Sequence, residues 1–542
     1  MICPRTGDQS LQDTAGPGVT DGCSMRSEED KMKKVTALLI SLLLCMLCVF
    51  PAVIFAEETA EDTEQETVSA EEAADTAEVQ DQLVTTQHSA VIQGQTIDYT
   101  ATAGTMVVET GGGSCEIFFV AYMRDGVEDL SARPITFVFN GGPGSSSIMT
   151  HLLFMGPKRM EPGEKGHAST LPAKWIDNEN SVLDMTDLVF IDAVGTGYSR
   201  ACPDSNEDDF IGYNNDLRTI GDFIRLYVSR NQRWSSPKYI AGESYGTTRA
   251  VGLCDYLSSS YDMGLNGIIL VSSVNDFLAV EFGPGNDLPY VAFLPTYAAD
   301  AWYHQLLDES YQSMSLEDYL EEVRDFAGSE YQAALFQGRA LSEDEKDEIA
   351  GKVASYIGLD KETVLKNNLR IPFDNFSGEL MADQELVIGR LDGRFTGRQV
   401  GGSISDGVSD PSDFDLDLPL VAMANQYFSE ELGYQTDRPY INLSLDVNNR
   451  WIYGVDNGVL AQEDIIHDFM SKNSFLKVWV LCGYFDGATP FYGAEWVFDH
   501  VFLDEDQLDN LSFTYYPSGH MIYLDQTAFD QFRKDAENWF QQ

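Results

Sequence analysis

The sequence predicts an α/β fold in which a mostly parallel central sheet is flanked by helices and interrupted by a helical insertion. Five short apolar runs are separated mainly by helical patterns, which is typical of parallel strands covered by helices on both faces. The runs cease for roughly two hundred residues between the fourth and the fifth, where the patterns are helical.

The five predicted strands have the length and the β-branched and aromatic content of buried strands. A crossover helix is predicted over Asn214–Asn231, because its apolar residues recur on one helical face. The strands are ITFVF from Ile135, LVFIDAV from Leu188, YIAG from Tyr239, IILVSS from Ile268 and LKVWVLCG from Leu476.

The helical insertion, or cap, is predicted at about residues 285–400. Three segments have helical periodicity: SLEDYLEEVRDFAGSEYQAALF, LSEDEKDEIAGKVASYIGL and KETVLKNN. The second begins with a capping-box pair, Ser342 and Glu345. The stretch VGGSISDGVSDPSDFDLDLP, from Val400, predicts an exposed loop.

Residues 32–56 have the organisation of a secretory signal peptide. A basic start precedes the apolar run Val35–Phe55, and the small residue Ala56 stands before an acidic stretch. Met32 would then be the initiator, and residues 1–31 an extension or a wrongly assigned start. The alternative is an uncleaved membrane anchor, because the run is about long enough to span a bilayer. The sequence therefore predicts a secreted or cell-surface protein.

Residues 57–82 predict a disordered linker, with eleven acidic residues and no basic ones. The whole chain has 34 Lys and Arg residues against 87 Asp and Glu residues, a formal net charge of −53. Such a surface repels phosphate backbones, which argues against nucleic acid as a partner. The folded part is predicted at residues 83–542, as one domain that contains the insertion.

Four cysteines follow the signal segment: Cys115, Cys202, Cys254 and Cys482. Their spacing matches no metal site, and neither a metal nor an organic cofactor is predicted. Export permits disulfides without requiring them. The four residues can form up to two disulfides, with three pairings if all are joined, or remain buried thiols.

The stretch KYIAGESYGTTRA contains a candidate nucleophile, Ser244. An apolar strand pattern precedes it and a helical pattern follows from Tyr245, which is the order that a nucleophile elbow requires. Gly242 and Gly246 permit the close backbone approach of such a turn. The alternative is an ordinary serine in a turn.

The candidate base is His520, which follows the strand-like run LSFTYYPSG at the expected carboxyl edge of the sheet. Asp486 is the candidate orienting acid, because it follows the run LKVWVLCG. Three other acidic residues are rivals: Asp499, Asp504 and Asp506. The remaining histidines are interpreted as structural or exposed: His88, His151, His167, His304, His467 and His500.

Candidate oxyanion donors lie in FVFNGGPGSSS, which runs from Phe137 to Ser147. Two glycines after a strand let the backbone approach a ligand without interference from side chains. The amides of Gly142 and Tyr245 can then hold a tetrahedral oxyanion together. The alternative is a plain Gly-Pro turn.

The motifs NGGPGSSS, GESYG and GHM occur in this order, and by them the chain after about Ala132 resembles the serine carboxypeptidase family. The resemblance implies an α/β-hydrolase fold with its chain order of nucleophile, acid and base. It further implies a catalytic triad, two oxyanion donors and a site for the terminal carboxylate of the substrate. By the resemblance, the triad is Ser244, Asp486 and His520, and the oxyanion donors are Gly142 and Tyr245. The carboxylate site is Asn140, Gly141 and Glu243.

Three positions depart from the family pattern. Ser145 stands where the family usually has a cysteine, so the disulfide that this cysteine makes elsewhere is expected to be absent. Val138 stands where a tryptophan is frequent, and Tyr523 where a proline is common. These departures concern substrate preference and stability, and they leave the triad intact.

The sequence therefore predicts an exported, bacterial-type serine carboxypeptidase that removes C-terminal residues from peptides or proteins through an acyl-enzyme. Glu243 can share a hydrogen bond with a substrate carboxylate only if one of the two acids is protonated, so tighter peptide binding is expected at acid pH. The alternatives are an esterase or acyltransferase on the same scaffold and a non-catalytic surface binding protein. A membrane is a partner only if the signal segment stays uncleaved.

Overall fold

The computed structural model describes residues 79–163, 171–398, 410–412, 416–456 and 458–541. The predicted signal peptide and residues 57–78 of the predicted linker lie outside the described residues, as does most of the loop predicted from Val400. Among the described helices, none combines the length and the apolar character that a bilayer crossing requires.

The described part of the chain is built around one mixed sheet of ten strands. Its strands are β1 Gln82–Ile92, β2 Gln95–Thr110, β3 Gly113–Arg124, β4 Ile135–Phe139, β7 Asp187–Ile191, β8 Arg200–Ala201, β9 Lys238–Glu243, β10 Gly267–Val271, β13 Lys477–Gly483 and β14 Leu511–Tyr516. Two small two-stranded antiparallel sheets lie outside it, β5 Lys158–Met160 with β6 Trp175–Asp177 and β11 Val387–Ile388 with β12 Thr396–Gly397.

The strand order is β1-β2-β3-β7-β4-β9-β10-β13-β14, and the short β8 pairs with β3. From β7 to β14 in this order all neighbours are parallel, whereas β1, β2 and β3 form an antiparallel extension that joins β7. The five predicted strands are all present in the parallel part. The sheet is therefore mostly parallel at its centre, as the sequence predicts.

Helices cover both faces of the parallel strands. In β13, Val478 and Val480 belong to one apolar cluster, while Trp479 and Leu481 belong to the other. Because alternate residues of a strand point to opposite faces, a strand buried on both faces must be apolar throughout. This is the reason that the central strands are recognisable as continuous apolar runs.

The predicted crossover helix is present as Tyr213–Arg230, and the three helical segments of the insertion are also helical. The capping box of Ser342 and Glu345 is formed. The described α-helices are Tyr213–Arg230, Tyr245–Tyr261, Leu288–Tyr303, Glu309–Gln312, Leu316–Phe326, Gln332–Gln337, Glu343–Ile357, Lys361–Lys366, Phe373–Glu379, Asp417–Gln426, Leu445–Asn449, Glu463–Lys472, Phe491–Asp499, Glu505–Leu508 and Gln526–Gln541.

Shorter 3-10 and π-helical turns complete the described elements. The 3-10 turns are Glu207–Phe210, Phe277–Ala279, Gly338–Ala340, Ala382–Gln384 and Ile522–Leu524, and the π turns are Thr150–Met155, Ala327–Tyr331 and Tyr427–Glu431.

The structure adds to the sequence prediction at three places. Strands β1 to β3 were not predicted. In β1 and much of β2 an exposed polar face breaks up the apolar pattern, whereas β3 is apolar and buried on both faces over most of its length and was missed. Helical segments continue beyond the predicted insertion, as far as Lys472. Asp81, at the end of the predicted linker, is bound to the fold, since its carboxylate accepts a hydrogen bond from Val107 N at 2.9 Å.

The prediction of an exposed loop from Val400 is wrong at Asp410 and Ser412, which are both buried. The Asp410 carboxylate accepts hydrogen bonds from the backbone amides of Arg390 at 3.1 Å and Leu391 at 3.2 Å. Buried backbone amides require such acceptors, and this requirement draws the aspartate inward.

The functional candidates meet at one edge of the sheet because the carboxyl ends of parallel strands share that edge. Asn140 follows β4 and Ser244 follows β9, which is the neighbour of β4 in the sheet. Asp486 and His520 follow β13 and β14, which are also neighbours. Residues far apart in the chain are thus brought together by the strand order.

Candidate active site

Ser244 lies in a sharp turn between β9 and the helix Tyr245–Tyr261. Its backbone has φ 60° and ψ −130°, a conformation that residues with a side chain rarely adopt. A Cβ added to Gly242 would lie 2.1 Å from the carbonyl oxygen of Gly246, so the turn requires glycine there. Ser244 is partly exposed, while Glu243 and Tyr245 are buried. This is the geometry of a nucleophile elbow.

Asp486 and His520 form a buried pair in which Nδ1 of the ring lies 2.8 Å from Oδ2 of the carboxylate. The backbone amides of Ala488 and Thr489 donate to Oδ1 at 2.8 and 2.9 Å, and the Thr489 hydroxyl donates to Oδ2 at 2.7 Å. These contacts fix the carboxylate, which in turn keeps the Nδ1 proton in place. Nε2 of His520 is then the nitrogen that can accept a proton.

Burial by itself would lower the pKa of His520, but the charge of Asp486 and its hydrogen bond outweigh burial and raise the pKa. The Glu243 carboxylate raises it further, and the Arg390 guanidinium opposes the rise. The backbone amide of His520 donates to Leu391 O at 2.6 Å, which ties the ring to the insertion. The positive form of the ring is thus stabilised by a fixed carboxylate.

Ser244 and His520 line the same cavity, which has a volume of about 380 Å³. The Ser244 hydroxyl makes no hydrogen bond to a described residue, so it is free to approach a substrate carbonyl. Catalytic hydrogen bonds are often long without substrate and shorten when the substrate binds. Another cavity, of about 450 Å³ within the insertion, is lined by none of the predicted site residues.

The backbone amides of Gly142 and Tyr245 donate no hydrogen bond to the described part of the chain. Tyr245 is the first residue of its helix, where amides have no acceptor within the helix. Gly141 brings the two segments together, since a Cβ built on it would lie 2.4 Å from the Tyr245 nitrogen. Both amides are therefore available beside Ser244 for a developing oxyanion.

Residues 442–448, here called the strap, lie beyond the predicted insertion and hold the glycine-rich loop that follows β4. Ser145 occupies the position of the family's cysteine in this loop, and hydrogen bonds to the strap support the loop there. They run from Ser444 N to Gly144 O at 2.8 Å, from Ser146 N to Asn442 O at 2.7 Å and from Asn448 Nδ2 to Pro143 O at 2.9 Å.

Asn140 and Glu243 are in direct contact, with Asn140 Nδ2 donating to Glu243 Oε1 at 2.7 Å. The other side of the Asn140 amide accepts from Thr150 N and Oγ1, both at 3.0 Å, which sets its orientation. Burial raises the pKa of Glu243 to about 7, so the carboxyl group is neutral in acid. Tyr523 lies beside this carboxyl group and influences its pKa.

Several residues of the cavity were not identified from the sequence. Arg390 and Leu391 lie in the predicted insertion and precede β12, whereas Asp417, Asn442 and Leu443 come from the segment beyond it. They lie in loops or at helix ends without a local motif, so only the chain path reveals them.

The described rivals of the predicted base and acid lie elsewhere. His151 is fully buried, its Nε2 is 2.7 Å from the Tyr122 hydroxyl, and burial lowers its pKa to about 3. The other described histidines lie outside the cavity, and His167 lies outside the described residues. The three aspartates that rival Asp486 are exposed: Asp499, Asp504 and Asp506.

The four cysteines, Cys115, Cys202, Cys254 and Cys482, are free and buried. Of the two possibilities that the sequence leaves open, the structure has buried thiols. Within the described ranges, no group of three or more His, Cys, Asp or Glu side chains is placed to hold a metal ion.

Residues 93–275 match the family model described as serine carboxypeptidase. The range includes the loop after β4 and the turn that holds Ser244, and the predicted resemblance is confirmed there. Asp486 and His520 lie beyond the matched range, so their assignment depends on the geometry described above.

Two relatives illustrate how far the likeness extends. Carboxypeptidase Y homolog of Arthroderma benhamiae is 27% identical over 170 residues, which are 30% of this chain and 31% of that protein. Serine carboxypeptidase-like 29 of Arabidopsis thaliana is 32% identical over 130 residues, which are 23% of this chain and 25% of that protein. The chain thus matches less than a third of the length of these relatives.

The crystal structure of Kex1(delta)p, a prohormone-processing carboxypeptidase from Saccharomyces cerevisiae, is similar with a TM-score of 0.52 and 15% sequence identity. The match covers 81% of this chain and 91% of that chain. At this identity the likeness concerns the fold alone. The predicted α/β-hydrolase fold, with its mostly parallel sheet flanked by helices, is confirmed.

Proposed function

We propose that the protein is a serine-type carboxypeptidase that removes C-terminal residues from peptides and proteins through an acyl-enzyme. The observation that carries the proposal is that one cavity is lined by Ser244, His520 and the hydrogen-bonded pair of Asn140 and Glu243. A triad alone would also serve an esterase. A buried carboxyl group that is neutral in acid, beside the nucleophile, is what the recognition of a free peptide end requires.

In the proposed mechanism, His520 Nε2 takes the proton of Ser244 Oγ while Oγ attacks the carbonyl carbon of the last peptide bond. The carbonyl electron pair moves onto the oxygen, where the amides of Gly142 and Tyr245 stabilise it. Asp486 orients the imidazole ring and stabilises its positive form. Cleavage of the C–N bond transfers the proton from His520 to the leaving amine, and the C-terminal amino acid departs.

The second half of the reaction hydrolyses the ester on Ser244. His520 Nε2 takes a proton from a water molecule, whose oxygen attacks the ester carbonyl within the same pair of amides. The ester C–O bond then breaks, and His520 returns the proton to Ser244 Oγ. The shortened peptide leaves with a new terminal carboxylate, and the hydroxyl is restored.

The proposed carboxylate site consists of Asn140, Gly141 and Glu243. With a pKa of about 7, Glu243 is protonated in acid and can donate a hydrogen bond to the terminal carboxylate of the substrate. Above that pH, two carboxylates would repel each other. Protonation of Glu243 also removes the charge that helps to raise the pKa of His520, so the base stays neutral further into the acid range. Cleavage of free-ended peptides is therefore favoured at acid pH.

The proposal retains export through the signal peptide of residues 32–56, to the cell surface or the medium, and the bacterial type of the family member. Both come from the sequence alone, and the two relatives described above are fungal and plant proteins. The proposed partners are peptide or protein C-termini. The net charge of −53 argues against nucleic acid, and a membrane is a partner only if the signal segment is uncleaved.

The test uses purified full-length protein, blocked dipeptides with a free end and the matching peptide amides, between about pH 4 and about pH 8. Release of the last amino acid from the free-ended substrates, with the best rate in acid, is the expected result. Ser244→Ala should abolish both this activity and labelling by a fluorophosphonate, with an unchanged unfolding temperature.

Two outcomes would contradict the proposal. Equal cleavage of free-ended and amidated peptides would exclude recognition of the terminal carboxylate, and cleavage of neutral esters only would favour an esterase or acyltransferase. Lack of fluorophosphonate labelling at Ser244 in the folded wild-type protein would favour a non-catalytic binding protein.

A further inference from the structure

The cavity contains a guanidinium group for which the proposed mechanism has no role. Arg390 is the only Lys or Arg residue among the described residues that line the cavity. Its side chain makes no hydrogen bond or ion pair with the described chain, and its Nε atom is buried without a partner. Arg394, by contrast, pairs with Asp392 at 2.7 Å and with Asp525 at 2.9 Å.

The acidic groups around the cavity are all engaged elsewhere or neutral in acid. Asp486 is paired with His520, and Glu243 has a pKa of about 7 because of burial. Asp417 accepts a hydrogen bond from Asn442 Nδ2 at 2.9 Å, and burial raises its pKa. None of these carboxyl groups lies within ion-pair distance of Arg390. No described carboxylate therefore forms an ion pair with the Arg390 guanidinium, and Asp410 binds only the backbone amide of Arg390.

The backbone beneath Arg390 is held firmly. Its amide donates to Asp410 Oδ1 at 3.1 Å, and its carbonyl oxygen accepts from Gly487 N at 2.9 Å. Gly487 follows the orienting Asp486 directly. Leu391, the residue after Arg390, accepts a hydrogen bond at its carbonyl oxygen from His520 N at 2.6 Å. Arg390 is thus attached to the loops of the proposed acid and base, on elements other than those of Asn140 and Glu243.

An unpaired guanidinium in a partly buried cavity has lost hydration without gaining a counter-ion. A carboxylate is the group that compensates it best, because the planar fork can form two parallel charge-assisted hydrogen bonds. Much of the remaining lining is apolar: Met149, Val274, Phe277, Val280, Leu391 and Met521. The cavity therefore offers an acidic side chain one strong partner in largely apolar surroundings.

We propose that Arg390 is a specificity-determining residue that selects peptides with Asp or Glu at a residue next to the scissile bond. This inference rests on the proposed carboxypeptidase function and names its substrate class. The terminal carboxylate is bound by Asn140 and Glu243, so Arg390 recognises a second, side-chain carboxylate. The preference is local and operates against the overall charge of −53, which disfavours the approach of acidic peptides.

The test compares Glu with its neutral isostere Gln in blocked dipeptides, first at the terminal and then at the penultimate position. We expect kcat/KM for Glu to exceed that for Gln by about tenfold or more at one of the two positions. Arg390→Met should reduce this ratio to about one, and Arg390→Lys should retain part of it. Arg339→Met is the matched control, because Arg339 is exposed and does not line the cavity.

A wild-type ratio near one at both positions, or an equal ratio in wild type and Arg390→Met, would overturn the inference. A uniform loss in Arg390→Met for free-ended Glu and Gln peptides, with peptide amides unaffected, would instead assign Arg390 to the terminal carboxylate. Unfolding temperatures of all variants separate these results from misfolding.

The failure of the proposed function would look different. An esterase or acyltransferase would be labelled by a fluorophosphonate without cleaving any dipeptide, whereas a wild-type protein that is folded and not labelled would overturn the inference together with the proposed function. Nitrophenyl esters of blocked Glu and Gln would then measure the ratio for the acyl residue, and inhibition of ester hydrolysis by blocked dipeptides that end in Glu or Gln would measure the ratio for the terminal residue. Equal values for Glu and Gln in both measurements would overturn the inference.

Discussion

Glu243→Gln tests the carboxylate site through the pH dependence of substrate binding. With a pKa of about 7, wild-type Glu243 is protonated almost completely at pH 5 and to about one-tenth at pH 8. If only the protonated form donates to the substrate carboxylate, KM for a free-ended peptide rises about tenfold between these values. The side-chain amide that the substitution introduces carries its donor at every pH, so the variant's KM should stay nearly constant.

The same substitution has a consequence for folding stability. The ordinary pKa of a glutamate is 4.5 and that of buried Glu243 is about 7, so the unfolded chain releases the proton first as the pH rises. The contribution of the neutral Glu243 side chain to folding stability is complete below pH 4.5 and is lost progressively as the pH rises to about 7. The difference between the two pKa values corresponds to roughly 3 kcal/mol of folding free energy. Glu243→Gln should retain this stability at pH 8.

The assay measures KM for one blocked dipeptide and its amide from about pH 5 to about pH 8, with thermal unfolding of both proteins at each pH. The amide is the control, because it lacks the carboxylate that Glu243 is proposed to bind. If the tenfold rise of KM persisted in Glu243→Gln, or occurred equally with the amide, the reasoning about Glu243 would be refuted.

Two further predictions concern the catalytic geometry. Asp486→Asn should lower kcat by up to about 10⁴-fold with little change in KM, because the new side-chain amide no longer favours the tautomer of His520 that carries its proton on Nδ1. An unchanged kcat would exclude Asp486 as the orienting acid. Gly141→Ala should lower kcat by about 10²-fold or more, because its new methyl group would lie 2.4 Å from the Tyr245 nitrogen and force the oxyanion donors apart. Gly264→Ala is the control, because the methyl group added there meets open space. Equal activity of the two variants would contradict the proposed oxyanion site.

Much of the parallel sheet could be predicted because its strands are buried on both faces. The run from Lys477 to Gly483 is apolar on both sides of the strand, and it is recognisable without any knowledge of its partners. The strand β2 has one exposed face and alternates with polar residues, so its sequence does not differ clearly from a loop. Burial on two faces therefore makes a strand recognisable as an apolar run, although β3, which is also buried on both faces over most of its length, was missed.

The site was predicted where a local turn leaves a trace in the sequence. The turn at Ser244 needs glycine at position 242, where a Cβ would lie 2.1 Å from the Gly246 carbonyl oxygen, and leaves little room for a Cβ at Gly246; both glycines are visible in the motif. Asp486 and His520 carry weaker traces, and their catalytic roles stay predictions. Their separation of 2.8 Å is a result of the parallel pairing of β13 with β14.

The sequence by itself determined the α/β class, the order of the functional segments and the glycine-dependent turns, because these depend on short-range backbone sterics and on burial. Only the tertiary structure decided that Arg390, Asp417 and the strap reach the cavity, and that Glu243 is buried enough to be neutral in acid. Such properties depend on which distant segments remove water from a side chain, and no local pattern of residues encodes that.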